Sequence, residues 1–230
     1  MSRHISEQYD AELDSVRSLL LEMGALVEQQ LQKACQSLYS HDPELSDQVR
    51  VGDARVNEME VDIDDLVVHI IARRQPAATD LRTLISILNA STDLERIGDE
   101  SERIAKMAKR IANMDLPADR YGSVRHMAGK VQVMLADALD AFARRNPEKA
   151  IQVIESDEAV DQAYNEIVRD VGQEMKTKPD EIERLLTVLW AARALERCGD
   201  HAKNLSEYIV YLVKGQDVRY ADASEAVSER

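Results

Sequence analysis

Aromatic side chains are almost missing from this sequence: 230 residues carry one Phe and one Trp. A core built without them must come from Leu, Ile, Val, Ala and Met, as helical bundles build theirs. Glycine and proline are also scarce, at 8 and 5 residues, which argues against a β-sandwich with its frequent turns. Two cysteines, Cys35 and Cys198, are too few for a disulfide framework. No apolar run is long enough to span a bilayer, and the most apolar stretch, Leu66 to Ala72, contains His69. Met1-Ser2-Arg3-His4 leads into polar residues rather than a signal peptide. A soluble cytoplasmic protein with no membrane insertion is expected. Positive charge is in deficit: the net charge is −14 and the pI about 4.8. That disfavours nucleic acid and anionic membranes as partners and leaves cations and basic protein surfaces.

What the chain does have is helical periodicity. The prolines Pro43, Pro76, Pro117, Pro147 and Pro179 cut it into six segments. Proline is poor inside a helix and good in its first turn. Each segment is long enough for a helix of roughly 25–38 residues. Apolar residues step by three and four along each, as in Val49, Val56, Met59, Ile63, Leu66 and Ile70. The β-branched run Val67 to Ile71 falls within such a stripe, so no strand is expected. The segment stripes also include Ile85 and Ile182.

The segments repeat. Asp42-Pro43-Glu44 matches Asn146-Pro147-Glu148, and Asp53, Val56 and Asn57 match Asp157, Val160 and Asp161 at the same offset. Further on, Leu94-Glu95-Arg96-Ile97-Gly98-Asp99 matches Leu195-Glu196-Arg197-Cys198-Gly199-Asp200. The chain thus reads as a tandem duplication of about 100 residues, three helices per half. Short connections predict antiparallel neighbours. The expected fold is all-α, with two tandem antiparallel three-helix bundles. The first covers 1–115 and the second 116–214, followed by a polar, disordered tail over 215–230.

The repeated L-E-R-x-G-D phrase is locally unfavourable. Its Glu and Asp stand four apart on one helical face and repel, and a mid-helix Gly costs up to about 1 kcal/mol against Ala. In an antiparallel hairpin, residues equidistant from the turn lie level. Asn57 and Glu95 are equidistant from Pro76, as are Asp53 and Asp99. Asp161 with Glu196, and Asp157 with Asp200, are equidistant from the Lys178–Pro179 turn. If the faces meet, each half holds an oxygen cluster: Asp53, Asn57, Glu95 and Asp99, then Asp157, Asp161, Glu196 and Asp200. So much negative charge calls for a cation. Oxygen ligands suit Mg²⁺, Ca²⁺, Mn²⁺ or iron better than a structural Zn²⁺ site. Gly98 and Gly199 would clear space for a metal-bound water or a neighbouring helix. The alternative is a solvated acidic face, with Asp99 paired to Arg103. The histidines suggest no imidazole site: His201 has Glu100 as its counterpart, and His69 reads as packed or half-exposed. Nucleotide-binding, hydrolase and zinc-protease motifs are absent, as is the Glu-x-x-His of di-iron helices.

Several longer stretches resemble one known family. They are Ile70-Ile71-Ala72-Arg73-Arg74-Gln75-Pro76, the two L-E-R-x-G-D phrases, Leu139-Asp140-Ala141-Phe142-Ala143-Arg144, and Tyr211-Leu212-Val213-Lys214-Gly215-Gln216-Asp217. Together they resemble PhoU, the family of phosphate-transport accessory proteins, over nearly the whole chain. The resemblance implies two three-helix bundles and a regulator rather than an enzyme. It implies repression of the phosphate-starvation response and restraint of phosphate uptake. The implied partners are a sensor histidine kinase, the ATPase subunit of the phosphate ABC transporter, and a second copy in a homodimer. Some members bind metal clusters through paired acidic motifs, which match the eight positions named above, with Asn57 the weakest donor. A competing expectation, of another class, is metal storage or a metal-dependent enzyme using the same acids.

Overall fold

The computed structural model describes residues 2–40, 42–112 and 122–215. Six helices form: α1 (Ser2–Ser40), α2 (Pro43–Arg74), α3 (Ala78–Ala112), α4 (Gly122–Arg144), α5 (Pro147–Thr177) and α6 (Ile182–Lys214), with a 3₁₀ turn at Pro179–Glu181 before α6. No strand occurs among the described residues. The expected join of the bundles at 115/116, Pro117 and the tail beyond Gly215 lie outside the described residues.

Local chemistry sets the helix ends. Asp42 caps α2, its Oδ1 accepting from the Glu44 amide at 2.9 Å. Asn146 caps α5 in the same way, accepting from the Lys149 amide at 3.0 Å. In both cases proline follows the cap, where its missing N–H is no loss. The α2 helix stops at Gln75, whose φ of 50° is left-handed and whose N–H returns to the Ile71 carbonyl.

Helices α1, α2 and α3 form one bundle and α4, α5 and α6 the other. The bundles meet most extensively along α3 and α6, and also where α1 crosses α4. Helices α2 and α5 pack only within their own bundles. This arrangement asks different things of different helices. Outer α2 buries one stripe: Val49, Val56, Met59, Ile63, Val67 and Ile70. Central α3 is covered on two sides and buries small residues as well, among them Ala90, Ser91, Gly98, Ser101, Ala105 and Ala108. Facing α6 does likewise with Ala191, Ala192, Gly199, Ala202 and Ser206. Small side chains let the two backbones approach, and the buried hydroxyls of Ser101 and Ser206 bond back to Ile97 and Ala202 carbonyls. At the α1–α4 crossing, a Cβ on Gly24 would sit 2.5 Å from Leu139 Cδ2, so the glycine seats that leucine.

Two expected stripe residues, Ile85 and Ile182, are exposed. In α3 the buried positions beside Leu84 are Ser86 and Ile87 instead. A helix packed on two sides does not follow a one-face pattern.

Candidate functional site

Both L-E-R-x-G-D phrases lie mid-helix, in α3 and α6. Their apolar members Leu94, Ile97, Leu195 and Cys198 are buried in the core. That fixes helix rotation and turns each Glu and Asp toward the outer helix of its bundle. In the first bundle Asp99 on α3 repels both Asp53 on α2 and Glu95, and Asp53 repels Glu95, but the oxygens of these three acids do not all come within 4.8 Å of one another. In the second bundle, Asp161 from α5 meets Glu196 and Asp200 from α6, with one oxygen of each within 4.8 Å of the others. Asp157 stands one turn away, its Oδ2 accepting from Lys203 Nζ at 2.8 Å.

The glycines bring the helices together. A Cβ at Gly98 would lie 3.4 Å from Asp53 Oδ1 and 3.5 Å from Val56 Cγ1. At Gly199 it would lie 3.3 Å from Val160 Cγ1 and 3.7 Å from Asp157 Oδ1. Each glycine therefore sits directly beneath an aspartate and a valine of the outer helix.

Four carboxylate oxygens in these clusters are buried without a hydrogen-bond partner: Asp53 Oδ1, Glu95 Oε2, Asp157 Oδ1 and Glu196 Oε2. They occupy equivalent places in the two bundles. Glu95 Oε2 is 3.4 Å from Arg96 Nε, an ion pair without hydrogen-bond geometry. Leaving a buried polar atom unpaired costs about 1–3 kcal/mol, more if charged. The chemistry of this donor set fits a hard cation, which coordinates such oxygens directly.

The surroundings of the clusters differ. Arg193 pairs with Glu196 at 2.5 Å and Lys203 with Asp157, so the second cluster is partly neutralised by its own chain. The residue aligned with Lys203 in the first bundle is Glu102, which repels Asp53, and positive charge comes there from Lys106 toward Asp53 and from Arg96 beside Glu95 and Asp99. Burial is the main cause that raises the pKa of Asp53, Glu95, Asp161, Glu196 and Asp200. Neighbouring carboxylates come next: Asp99 for Asp53 and Glu95, Asp157 for Asp161 and Asp200, and Asp200 for Glu196.

Other expectations need correction. Asp99 does not pair with Arg103: Arg103 bonds Glu100 at 2.8 Å, while Asp99 faces Arg96 at 3.6 Å. His69 is exposed. His201, set aside on sequence grounds, bonds Asp93 across the bundle interface at 2.6 Å. Lys203 was legible in principle, since it follows Asp200 by three residues and shares its helix face. Asp93 carried no such signal, because its partners all come from the other half of the chain. The thiols of Cys35 and Cys198 are fully buried and unpaired. Burial pushes the Cys35 pKa up to about 12 and Cys198 well above its ordinary value, as suits inert core residues.

The spacing at Gly98 has a testable consequence. All its contacts to an added Cβ are at ordinary van der Waals distance. Gly98→Ala should therefore stabilise the metal-free protein by about 0.5–1 kcal/mol through helix propensity. The added methyl also fills the space beside Asp53 Oδ1 that a cation would occupy, so cation affinity at that cluster should fall. Metal-free melting and cation titration of the same variant check both signs.

Fold and site define a class: a duplicated helical-bundle protein with one acid cluster in each repeat. Comparison with known proteins narrows it. The PhoU domain model matches residues 20–108 and 124–209, one copy per bundle. A Pseudomonas aeruginosa homolog of the phosphate-specific transport system accessory protein PhoU is 46% identical, covering 96% of this chain and 91% of that protein. The Escherichia coli accessory protein PhoU is 40% identical, covering 98% and 93%. The crystal structure of Pseudomonas aeruginosa PhoU covers 90% of this chain and all of that one, with a TM-score of 0.88 at 45% identity. That of the phosphate transport system regulatory protein PhoU from Streptococcus pneumoniae covers 91% and 99%, with a TM-score of 0.83 at 31% identity. The chain belongs to the PhoU family. No helix among the described residues is long and apolar enough to cross a membrane.

Proposed function

We propose that this protein is a regulatory accessory component of phosphate uptake, which represses the phosphate-starvation response when phosphate is plentiful. The observation that carries the reading is similarity to phosphate-transport accessory proteins over nearly the full length of both chains. In this reading it acts in the cytoplasm as a homodimer. It links a sensor histidine kinase to the ATPase subunit of the phosphate ABC transporter. The long exposed faces of α2 and α5, each covered on one side only, suit an adaptor. The domains extend over 1–115 and 116–214.

Each bundle would hold a hard cation. Asp53, Asn57, Glu95 and Asp99 serve the first site, and Asp157, Asp161, Glu196 and Asp200 the second. The matched pairs of unpartnered buried oxygens support this. Mg²⁺, Mn²⁺, Ca²⁺ and iron fit the donors better than Zn²⁺. A cation would neutralise each cluster and tie outer helix to inner helix.

A deletion strain grown in ample phosphate should express phosphate-starvation genes as strongly as a starved parent. Restoration of repression by the intact gene, and binding of purified protein to the kinase and transporter ATPase, complete the test. Normal repression in the deletion strain would sink the regulatory reading. Metal oxidation or phosphoester turnover by the metal-loaded protein, lost in Glu196→Ala, would favour an enzyme instead.

A further inference from the structure

Helix α1 supplies none of the acids, yet it sends one polar side chain toward the first cluster. Gln30 is 3% exposed and interrupts the buried stripe of Met23, Val27, Leu31 and Ala34. Neither its Oε1 nor its Nε2 has a hydrogen-bond partner. An amide buried this way costs about 1–3 kcal/mol by mutational measure, and an apolar side chain would avoid that cost.

Two glycines make room for it. A Cβ at Gly52 would lie 2.7 Å from Gln30 Nε2, so any other residue there would displace the amide. A Cβ at Gly98 would lie 3.5 Å from Gln30 Oε1 and 3.4 Å from Asp53 Oδ1. Two buried, unpartnered oxygens from different helices thus flank one point above Gly98. A carbonyl oxygen and a carboxylate oxygen both accept, so neither satisfies the other. A shared water that donates to both or a cation that both coordinate would satisfy them, and the surrounding carboxylates of Asp53, Glu95 and Asp99 favour the cation.

The second bundle lacks this arrangement. The residue aligned with Gln30 is Met134, buried, and the one aligned with Gly52 is Ser156. The Ser156 hydroxyl bonds the Val153 carbonyl of its own helix. The amide and the glycine that accommodates it are therefore absent together.

We propose that Gln30 is a fifth oxygen donor of the first cluster, reached from a third helix, and that it makes the two cation sites chemically unequal. This rests on the cation reading above. The first site sets the carboxylates of Asp53, Glu95 and Asp99 beside the amides of Asn57 and Gln30, and its cation joins α1, α2 and α3. The second uses Asp157, Asp161, Glu196 and Asp200 from two helices, with Lys203 already on Asp157. The ligand class is a hard divalent cation held wholly by oxygen.

The test is Mn²⁺ titration of chelator-stripped full-length protein, with free Mn²⁺ read by electron paramagnetic resonance. A Glu196→Gln, Asp200→Asn background leaves the first site alone in view. There, Gln30→Met installs the second bundle's residue at similar volume. It should weaken Mn²⁺ binding about 10–100-fold, while the metal-free melting temperature stays level or rises. Gln30→Glu should do the reverse, tightening Mn²⁺ binding and lowering metal-free stability. A pure packing role predicts neither the opposite signs nor any change in affinity. Unchanged Mn²⁺ affinity in both variants overturns the proposal and leaves the cation reading standing. Failure of the unsubstituted chain to bind Mn²⁺ at the first cluster also overturns the proposal, and the cation reading falls with it only when Mg²⁺, Ca²⁺, Zn²⁺ and ferrous iron fail as well.

Discussion

Saturating Mn²⁺ should raise the melting temperature of chelator-stripped protein by about 5–10 °C for each cluster filled. A ligand present at a hundred times its dissociation constant stabilises by about 2.7 kcal/mol, and a chain of this size shifts roughly 2–4 °C per kcal/mol. The unpaired oxygens of Asp53, Glu95, Asp157 and Glu196 are the groups relieved. Asp157→Asn with Glu196→Gln should remove one increment and leave the other.

The same clusters set a pH dependence. Asp53, Glu95, Asp161, Glu196 and Asp200 have pKa values raised by folding, through burial first and then through neighbouring acids. The folded metal-free protein therefore binds protons there more tightly than the unfolded chain does. Their contribution to stability is fully present below the ordinary carboxylate range near pH 4 and is lost as pH rises through the folded values. Mn²⁺ replaces the protons, so its stabilising effect should grow from pH 5 to pH 7. A melting temperature indifferent to Mn²⁺, Mg²⁺, Ca²⁺, Zn²⁺ and ferrous iron at both pH values would remove the cation reading.

Asp93→Ala should be the most damaging single substitution outside the apolar core. The Asp93 side chain is 9% exposed, on the face of α3 that meets α6. It accepts from Tyr208 Oη at 2.7 Å and Asn204 Nδ2 at 3.0 Å, with His201 Nδ1 at 2.6 Å. As a carboxylate it only accepts, so His201 carries its hydrogen on Nδ1. Hydrogen bonds to a charged group are worth about 1.5–3 kcal/mol each and do not add simply. Truncation removes three at once and strands their donors in the interface. A loss of about 3–4 kcal/mol, or roughly 6–16 °C in melting temperature, is expected.

The aligned residue in the second repeat is Ala194, so this lock exists once. The second inter-bundle pair, Glu100 with Arg197 at 2.7 Å, should remain. Calorimetry on Asp93→Ala should show a broadened or split transition as the bundles begin to melt separately. Asp93→Asn keeps the shape and loses the charge, and should fall between. A single sharp transition at the parent temperature would show that the Asp93 contacts do not hold the bundles together.

The sequence by itself determined the helix count, the duplication, the joins marked by Pro43, Pro76, Pro147 and Pro179, and the level placement of Asp53 with Asp99 and of Asp161 with Glu196. These follow from local periodicity and from chain reversal at a short turn, both of which act along the chain. Burial of Leu94, Ile97, Leu195 and Cys198 was legible too, and with it the face that each acid presents. Tertiary structure alone decided the rest. Ile85 and Ile182 turned outward because central helices have two covered sides. Gln30 met Asp53, and Asp93 met His201, because helices distant in the chain were packed together. Arg103 went to Glu100 rather than Asp99 because packing against α6 buries the Glu100 carboxylate, which takes both Arg103 and Arg197. A one-dimensional pattern reports which face of a helix is apolar. Which partner covers that face, and which polar group it thereby strands, depends on contacts between segments far apart in sequence.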